Sequence, residues 1–92
     1  MQFMVIERFR NQDAKAVYRR LREHGRMMPD GLTFVSSWVA ADLGRCFQLM
    51  EADDITLLQR WVAAWSDLMA FEIVAVVPGK ETAQALGGEL DG

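Results

Sequence analysis

The sequence predicts one α+β domain built in the order βαββαβ. Four short segments are rich in β-branched and aromatic residues, and two segments between them repeat apolar residues at helical spacing. A chain of 92 residues is long enough for one domain only. Within residues 1–78 this order is the ferredoxin-like arrangement, a four-stranded antiparallel sheet with two helices on one face. Residues 79–92 are a polar, Gly-rich tail, expected to fray and to form at most one helical turn.

The first half of the chain gives a strand and a helix. Residues 3–9 lack a helical period and contain β-branched residues. Asn11 is the expected N-cap of the first helix, and Asp13 complements its dipole. Its apolar stripe has the spacing i, i+3, i+4, i+7, with members Ala14, Val17, Tyr18 and Leu21. Gly25 ends this helix.

The second half gives a hairpin, a helix and a last strand. Residues 32–40 and 45–51 are strands, and Gly44 between them suits a tight turn with positive φ. Asp53 or Asp54 caps the second helix, whose apolar stripe places two tryptophans in the core: Leu57, Leu58, Trp61, Val62, Trp65 and Leu68. Residues 71–77 form the fourth strand, which Pro78 ends.

Composition excludes several classes of function. No apolar run reaches the 18 residues or so of a membrane span, so no membrane partner is expected. The single Cys46 and the absence of a signal-peptide pattern favour a cytoplasmic location. Residues 1–26 carry seven basic and three acidic side chains, but the net charge of the chain is −3. We therefore expect a solvated helix face there and no nucleic-acid partner.

The strands predict a homodimer. A sheet with one face in water alternates apolar and polar residues, whereas residues 4–6 and 73–77 are apolar on both faces. Two helices cover only one face, and the other would expose an apolar patch larger than monomers tolerate. A second copy packed sheet to sheet would cover it.

Several runs of the chain resemble a small bacterial family catalogued as a domain of unknown function within the dimeric α/β-barrel superfamily. The runs are VIERF, DAKAVYRRLREHGRMMPDGL, SSWV, RCFQLMEADD and LLQRWVAAWSDL, and the resemblance covers about residues 1–77. It implies a ferredoxin-like protomer whose two sheets form a barrel-like dimer. The superfamily includes monooxygenases, haem-degrading enzymes, isomerases and ligand-sensing domains, so the resemblance implies a fold and a place for a pocket but no activity.

The hairpin supplies the candidate site. A turn centred near Leu43 would place Trp38 opposite Gln48 and Ala40 opposite Cys46. One face then carries a mixed set of side chains typical of a small-molecule pocket: Ser36, Trp38, Cys46 and Gln48. Glu7 is expected at the rim of the same pocket. We expect this pocket between the two sheets, and residues 35, 37, 39, 47 and 49 against the helices. A shift of one residue would exchange the two faces.

Each candidate also has a structural interpretation. Glu7 is either a ligand contact, an exposed acid paired with arginine, or part of a salt bridge across the dimer. Trp38 and Gln48 also suit the dimer interface, and Cys46 suits a small buried apolar side chain. Neither Ser36 nor Ser37 has a histidine base in a recognisable context, so a catalytic triad is not expected. His24 suits a helix end, and neither a metal nor a cofactor is predicted.

Three functions remain open. The first is a module that binds a small, mostly apolar molecule for sensing or carriage. The second is a cofactor-independent oxygenase or isomerase with Glu7 as general base, which a desolvated Glu7 with raised pKa would favour. The third is a structural or adaptor dimer, which an interior packed without a cavity would favour.

Overall fold

The computed structural model describes residues 1–91, which form a four-stranded sheet and three α-helices. The strands are β1 (Gln2–Phe9), β2 (Thr33–Val39), β3 (Arg45–Glu51) and β4 (Met69–Val76). The helices are α1 (Ala14–His24), α2 (Ile55–Trp65) and α3 (Gly79–Leu86). Short 3-10 segments occupy Arg10–Gln12 and Gly87–Glu89. The predicted order βαββαβ is confirmed over β1 to β4.

The sheet has the strand order β2-β3-β1-β4, and all its pairs are antiparallel. This confirms the predicted α+β fold class, with β1 and β3 in the centre. The core lies on one face of the sheet under α1 and α2. Trp61 and Trp65 of α2 are both buried in it, as predicted, together with Leu58 and with Val17 of α1.

The helices α1 and α2 both have an aspartate as N-cap. The side chain of Asp13 accepts a hydrogen bond from the Ala16 amide, so Asp13 is the N-cap of α1. The prediction of Asn11 is wrong, because Asn11 has a φ of 57° inside the preceding 3-10 segment. Arg10 ties that segment to the turn that follows α2, since its amide donates to the Leu68 carbonyl. Asp54 caps α2 through the Thr56 amide, as one of two predicted alternatives.

The register of the hairpin differs from the predicted one by one residue. Ser37 lies opposite Gln48, Trp38 opposite Phe47 and Val39 opposite Cys46. The cause is the turn: the Ala40 amide donates to the Arg45 carbonyl, which closes the loop one residue earlier than expected. The register also shifts between Phe34 and Ser36, as a β-bulge does.

On β1 and β3 the two faces are exchanged relative to the prediction, whereas on β2 Ser37 lies toward the helices and Trp38 away from them, as predicted. The covered face, as we call the side under α1 and α2, carries Phe3, Val5, Glu7, Cys46, Gln48 and Met50. The open face is the opposite side and carries Phe47 and Leu49, which were expected to contact the helices. Because both faces are apolar, alternation along the strands did not reveal which one the helices cover.

The tail forms more structure than expected. Residues 79–86 are two turns of helix, α3, and none of its residues is buried. Leu86 and Leu90 both expose their side chains. No helix in residues 1–91 has the length and apolarity needed to cross a membrane.

Candidate functional site

A cavity of about 140 Å³ lies between the covered face and the helices α1 and α2. Trp61 and Trp65 of α2, Leu21 of α1 and Phe9 of β1 provide much of its apolar wall. Its polar lining comes from five parts of the chain, namely the strands β1, β2 and β3, the helix α1 and the loop after it: Glu7, Tyr18, Arg26, Ser37, Cys46 and Gln48. A mostly apolar pocket with a few converging polar groups is the usual composition of a small-molecule site.

Glu7 and Gln48 form a buried polar pair at the centre of the sheet. They lie on the adjacent strands β1 and β3, and the Gln48 Nε2 donates to the Glu7 Oε1 at 2.8 Å. Glu7 is only 2% exposed. The second oxygen of each group, Glu7 Oε2 and Gln48 Oε1, is buried and has no hydrogen-bond partner in residues 1–91. Native proteins pair nearly all such atoms, so two adjacent exceptions inside one cavity indicate a place for a ligand or water.

The environment of Glu7 favours its neutral form. Burial removes water from the carboxylate and raises the pKa of Glu7 above its usual range. The hydrogen bond from Gln48, the Cys46 thiol and the positive charge of Arg26 oppose this rise without cancelling it. The structural interpretation of Glu7 was an exposed acid paired with arginine. Glu7 is instead buried, and within residues 1–91 it forms no salt bridge with an arginine.

Cys46 lies directly opposite Glu7 and behaves as an unreactive thiol. Burial, and then the neighbouring Glu7 carboxylate, raise the pKa of Cys46 to about 12. The nucleophilic thiolate is therefore scarce at neutral pH. This agrees with the interpretation of Cys46 as a small buried apolar side chain.

One backbone carbonyl anchors the loop between α1 and β2 beside the cavity. The indole Nε1 groups of Trp61 and Trp65 both donate to the Arg26 carbonyl at 2.9 Å. The guanidinium of Arg26 lies over the Phe34 ring, 3.7 Å from its centroid. Gly25 and Met27, on either side of Arg26, have φ values of 68° and 57°. The same tryptophans that line the cavity thus fix its neighbouring loop.

An ion pair fixes α1 against the turn that follows α2. The Arg20 guanidinium donates to both carboxylate oxygens of Asp67, at 2.7 and 2.6 Å, and lies 5.6 Å from the Trp65 ring centroid. This contact gives part of the basic face of α1 a structural role. It also positions Val17 and Tyr18 of the same helix at the cavity.

The structure divides the five predicted ligand-binding residues between two faces. Glu7, Cys46 and Gln48 lie together on the covered face and line the cavity. Ser36 and Trp38 lie on the open face, opposite Leu49 and Phe47. The expected single pocket between two sheets does not match this placement, because the wrong register joined residues of opposite faces.

Sequence reasoning missed several lining residues. Ser37 occupies the place at the cavity that was assigned to Ser36. No sequence pattern pointed to Arg26, which lies in a loop, or to Tyr18, which belongs to the ordinary apolar stripe of α1. Tryptophans four residues apart on α2 were the available sign of an aromatic wall. Within residues 1–91, no three His, Cys, Asp or Glu side chains cluster closely enough to hold a metal ion.

Comparison with known proteins gives a family and no activity. The model of a family described as "Domain of unknown function (DUF3303)" matches residues 1–90. The chain therefore belongs to this family, and the match includes residues 79–90 of the tail, which the resemblance had left outside. Searches among curated proteins and among solved structures returned no significant match.

Proposed function

We propose that this DUF3303 protein is a homodimer that binds a small molecule in the cavity above Glu7 and Gln48, for sensing or carriage. The observation that carries this proposal is the pair of buried oxygens without partners, one on each side chain. Leaving a buried acceptor unpaired costs about 1–3 kcal/mol, and two lie side by side. We also propose that the protein is bacterial and cytoplasmic, on the resemblance and the cysteine content described above.

The cavity limits the size and character of the molecule. A volume of about 140 Å³ suits a single ring with one short substituent rather than a nucleotide. The aromatic walls favour an apolar body, and the polar atoms of Glu7 and Gln48 favour one polar end. The small ligand is thus expected to lie with its ring between the helices and its polar end toward the sheet.

Native mass spectrometry of protein purified from its own host tests binding. We expect a co-purified small molecule whose mass is lost on denaturation. Val17→Phe fills the cavity from α1 and should abolish that extra mass. Ser36→Ala, on the open face, is the matched control and should keep it. A bare, folded wild-type protein that also binds no small aromatic compound would contradict the proposal.

The open face supports the dimer. Trp38 is 53% exposed on this face. The side chains beside it at the centre of the face are apolar: Met4, Ile6, Phe47 and Leu49. Four strands of seven or eight residues have a flat footprint on the order of 500 Å², and side-chain relief makes the accessible area larger. A standard interface buries about 800 Å² on each partner, so a second copy is a suitable cover.

Charges on the open face indicate how the two copies would meet. Arg8 and Arg45 lie directly opposite each other at one end of the central strands, and Glu51 lies at the other end. Like charges in such a pair repel each other. A two-fold axis perpendicular to the strands would place the two arginines of each copy over Glu51 of the other. An axis parallel to the strands would stack arginine on arginine.

The tail gives a second reason for a partner. The eight residues of α3 have no buried side chain, although isolated helices shorter than about 12 residues are marginal in water. A groove of about 470 Å³ lies at the same end of the sheet, between Gln2, Glu51 and Val76 on the strands and Glu81 on α3. A second copy at the open face would give this helix a surface to pack on.

Charge exchange with analytical ultracentrifugation tests this arrangement. Arg45→Glu alone and Glu51→Arg alone should each weaken the dimer, and the double variant should restore it. Both side chains are exposed, so the fold is expected to survive. Glu89→Arg, on the tail, is a control for net charge. Wild-type protein that stays monomeric at micromolar concentration would contradict the dimer.

A second candidate function is catalysis with Glu7 as general base, in an oxygenase or isomerase without a cofactor. Burial raises the pKa of Glu7 toward the range in which a carboxylate both accepts and releases protons. The test is incubation of the co-purified molecule with excess protein, followed by mass spectrometry of the products. Turnover that Glu7→Gln abolishes and Glu7→Asp partly keeps would support catalysis. No change of the molecule with wild-type protein would leave binding as the function.

A further inference from the structure

We infer that the cavity selects a molecule with a hydrogen-bond-donating end, and that a primary ammonium on a small aromatic body fits it best. This inference rests on the proposed binding function and assigns the chemical class of its ligand. The observation behind it is the identity of the two unpartnered atoms. Both are oxygens, on Glu7 and Gln48, and they are held on adjacent strands that line the cavity.

The hydrogen bond between the two side chains decides which atoms face the ligand. The Gln48 Nε2 already donates to Glu7 Oε1, so the amide oxygen of Gln48 is left as an acceptor. A bound cation would favour the ionised form of Glu7, in which both carboxylate oxygens are acceptors. A ligand end that carries only lone pairs would leave both oxygens without a partner. An ammonium carries three N–H groups and satisfies both oxygens at once.

Charge favours the same choice. Glu7 is buried and takes part in no ion pair within residues 1–91. A buried carboxylate is stabilised by a cation that also donates hydrogen bonds to it. Arg26 lines the same cavity, but its guanidinium lies over the Phe34 ring. A bound ammonium would supply the contact that no side chain of the described chain makes.

The aromatic wall suits a flat apolar body next to that cation. Trp61 and Trp65 are held in place because both indole N–H groups donate to the Arg26 carbonyl. Because each indole N–H already has an acceptor, neither ring needs a hydrogen-bond partner from a molecule in the cavity. Such walls accept an aromatic ring, and they also attract a nearby cation.

Four probes of nearly equal shape test the inference on the full chain: benzylamine, benzyl alcohol, benzoate and toluene. Binding is followed by the amide and indole resonances in NMR titrations. We expect benzylamine to bind on the order of tenfold more tightly than benzyl alcohol, because a charge-assisted hydrogen bond exceeds a neutral one by about that factor. Benzyl alcohol should bind more tightly than toluene, and benzoate most weakly.

Variants assign the preference to Glu7. Glu7→Gln keeps the shape and should reduce the preference for benzylamine over benzyl alcohol to less than about threefold, with toluene unchanged. Ser36→Ala is the control and should keep the wild-type order. The order of the four probes on wild-type protein decides the inference even if a variant fails to fold.

The outcomes separate the inference from the function on which it rests. Benzoate binding as tightly as benzylamine would overturn the inference and make Arg26 the anchor, while binding itself would stand. Four equal affinities would also overturn it, because burial of the ring alone would then explain binding. Absence of binding by all four probes would overturn the inference and contradict the proposed binding function.

Discussion

The covered and open faces of the sheet differ in where they place polar atoms. Both are rich in apolar side chains, but the covered face buries Glu7 and Gln48 at its centre. The charged residues of the open face lie at its margins, at the ends of the central strands or on the edge strand β4: Arg8, Arg45, Glu51 and Glu72. Polar groups at the ends of a surface remain solvated when an apolar centre is buried against a partner. Polar groups at the centre of a core need a partner of their own. We therefore propose association at the open face and ligand binding at the covered face.

The largest expected effect is on the covered face. Trp61→Ala removes a side chain that is 1% exposed and also the hydrogen bond to the Arg26 carbonyl. We expect it to lower the free energy of unfolding by about 3–5 kcal/mol. Urea unfolding at fixed protein concentration measures this. Trp38→Ala is the matched control, and an equal loss for both tryptophans would contradict the distinction between the faces.

Trp38→Glu tests the open face. The variant places a charge in the middle of the proposed interface, where burial without a partner costs about 3 kcal/mol or more. We expect the dissociation constant of the dimer to rise at least about a hundredfold. Sedimentation measures this, and circular dichroism should show an unchanged fold, because Trp38 is exposed in the protomer. A normal dimer would exclude the open face as the interface.

Glu7→Gln tests the polar centre of the covered face through pH. The folded state holds the proton of Glu7 more tightly than the unfolded state, because the pKa of Glu7 is raised above 4.5. The contribution of Glu7 to the free energy of unfolding is fully present below pH 4.5, and it is lost as the pH rises through the pKa of Glu7 in the folded state. Glu7→Gln should remove this fall and stabilise the protein at neutral pH by on the order of 1 kcal/mol.

Thermal unfolding from pH 4 to pH 8 provides the measurement. Gln also keeps the helical circular dichroism, since the amide matches the carboxyl in shape. If the variant loses most of that signal, Glu7 is a structural residue and its role in binding is weakened. An unchanged pH profile would show that Glu7 is solvated in the folded protein.

The smallest expected effect distinguishes two neighbouring serines. Ser37 lines the cavity on β2, while Ser36 lies on the open face. Ser37→Ala should weaken benzylamine binding by about two- to fivefold, because one polar group of the lining is lost. Ser36→Ala should leave binding unchanged. The reverse result in the NMR titration would restore the predicted register and overturn the observed one.

Part of the candidate site was accessible to sequence reasoning. Glu7, Cys46 and Gln48 were placed on one face because alternation within β1 and β3 is a local property. Ser36 and Trp38 were joined to them wrongly, because the register of β2 depends on the closure of the turn at Ala40 and on a bulge. Neither feature has a strong signal in a turn whose residue with positive φ is Leu43 rather than Gly44.

Local patterns determined the elements of this protein. Helical spacing identified α1 and α2, β-branched runs identified the strands, and their order restricted the topology to one strand arrangement. These properties follow from contacts between residues close in sequence and from the handedness of crossovers. The placement of Trp61 and Trp65 in the core followed from the same spacing.

Only the tertiary structure decided which face of the sheet the helices cover. With both faces apolar, burial of either gains similar hydrophobic free energy, so the pattern along a strand leaves the choice open. The packing of α1 and α2 and the closure of the hairpin made that choice, and it buried the carboxyl of Glu7. The cavity follows from the same packing, since its walls come from residues as distant in sequence as Glu7 and Met69.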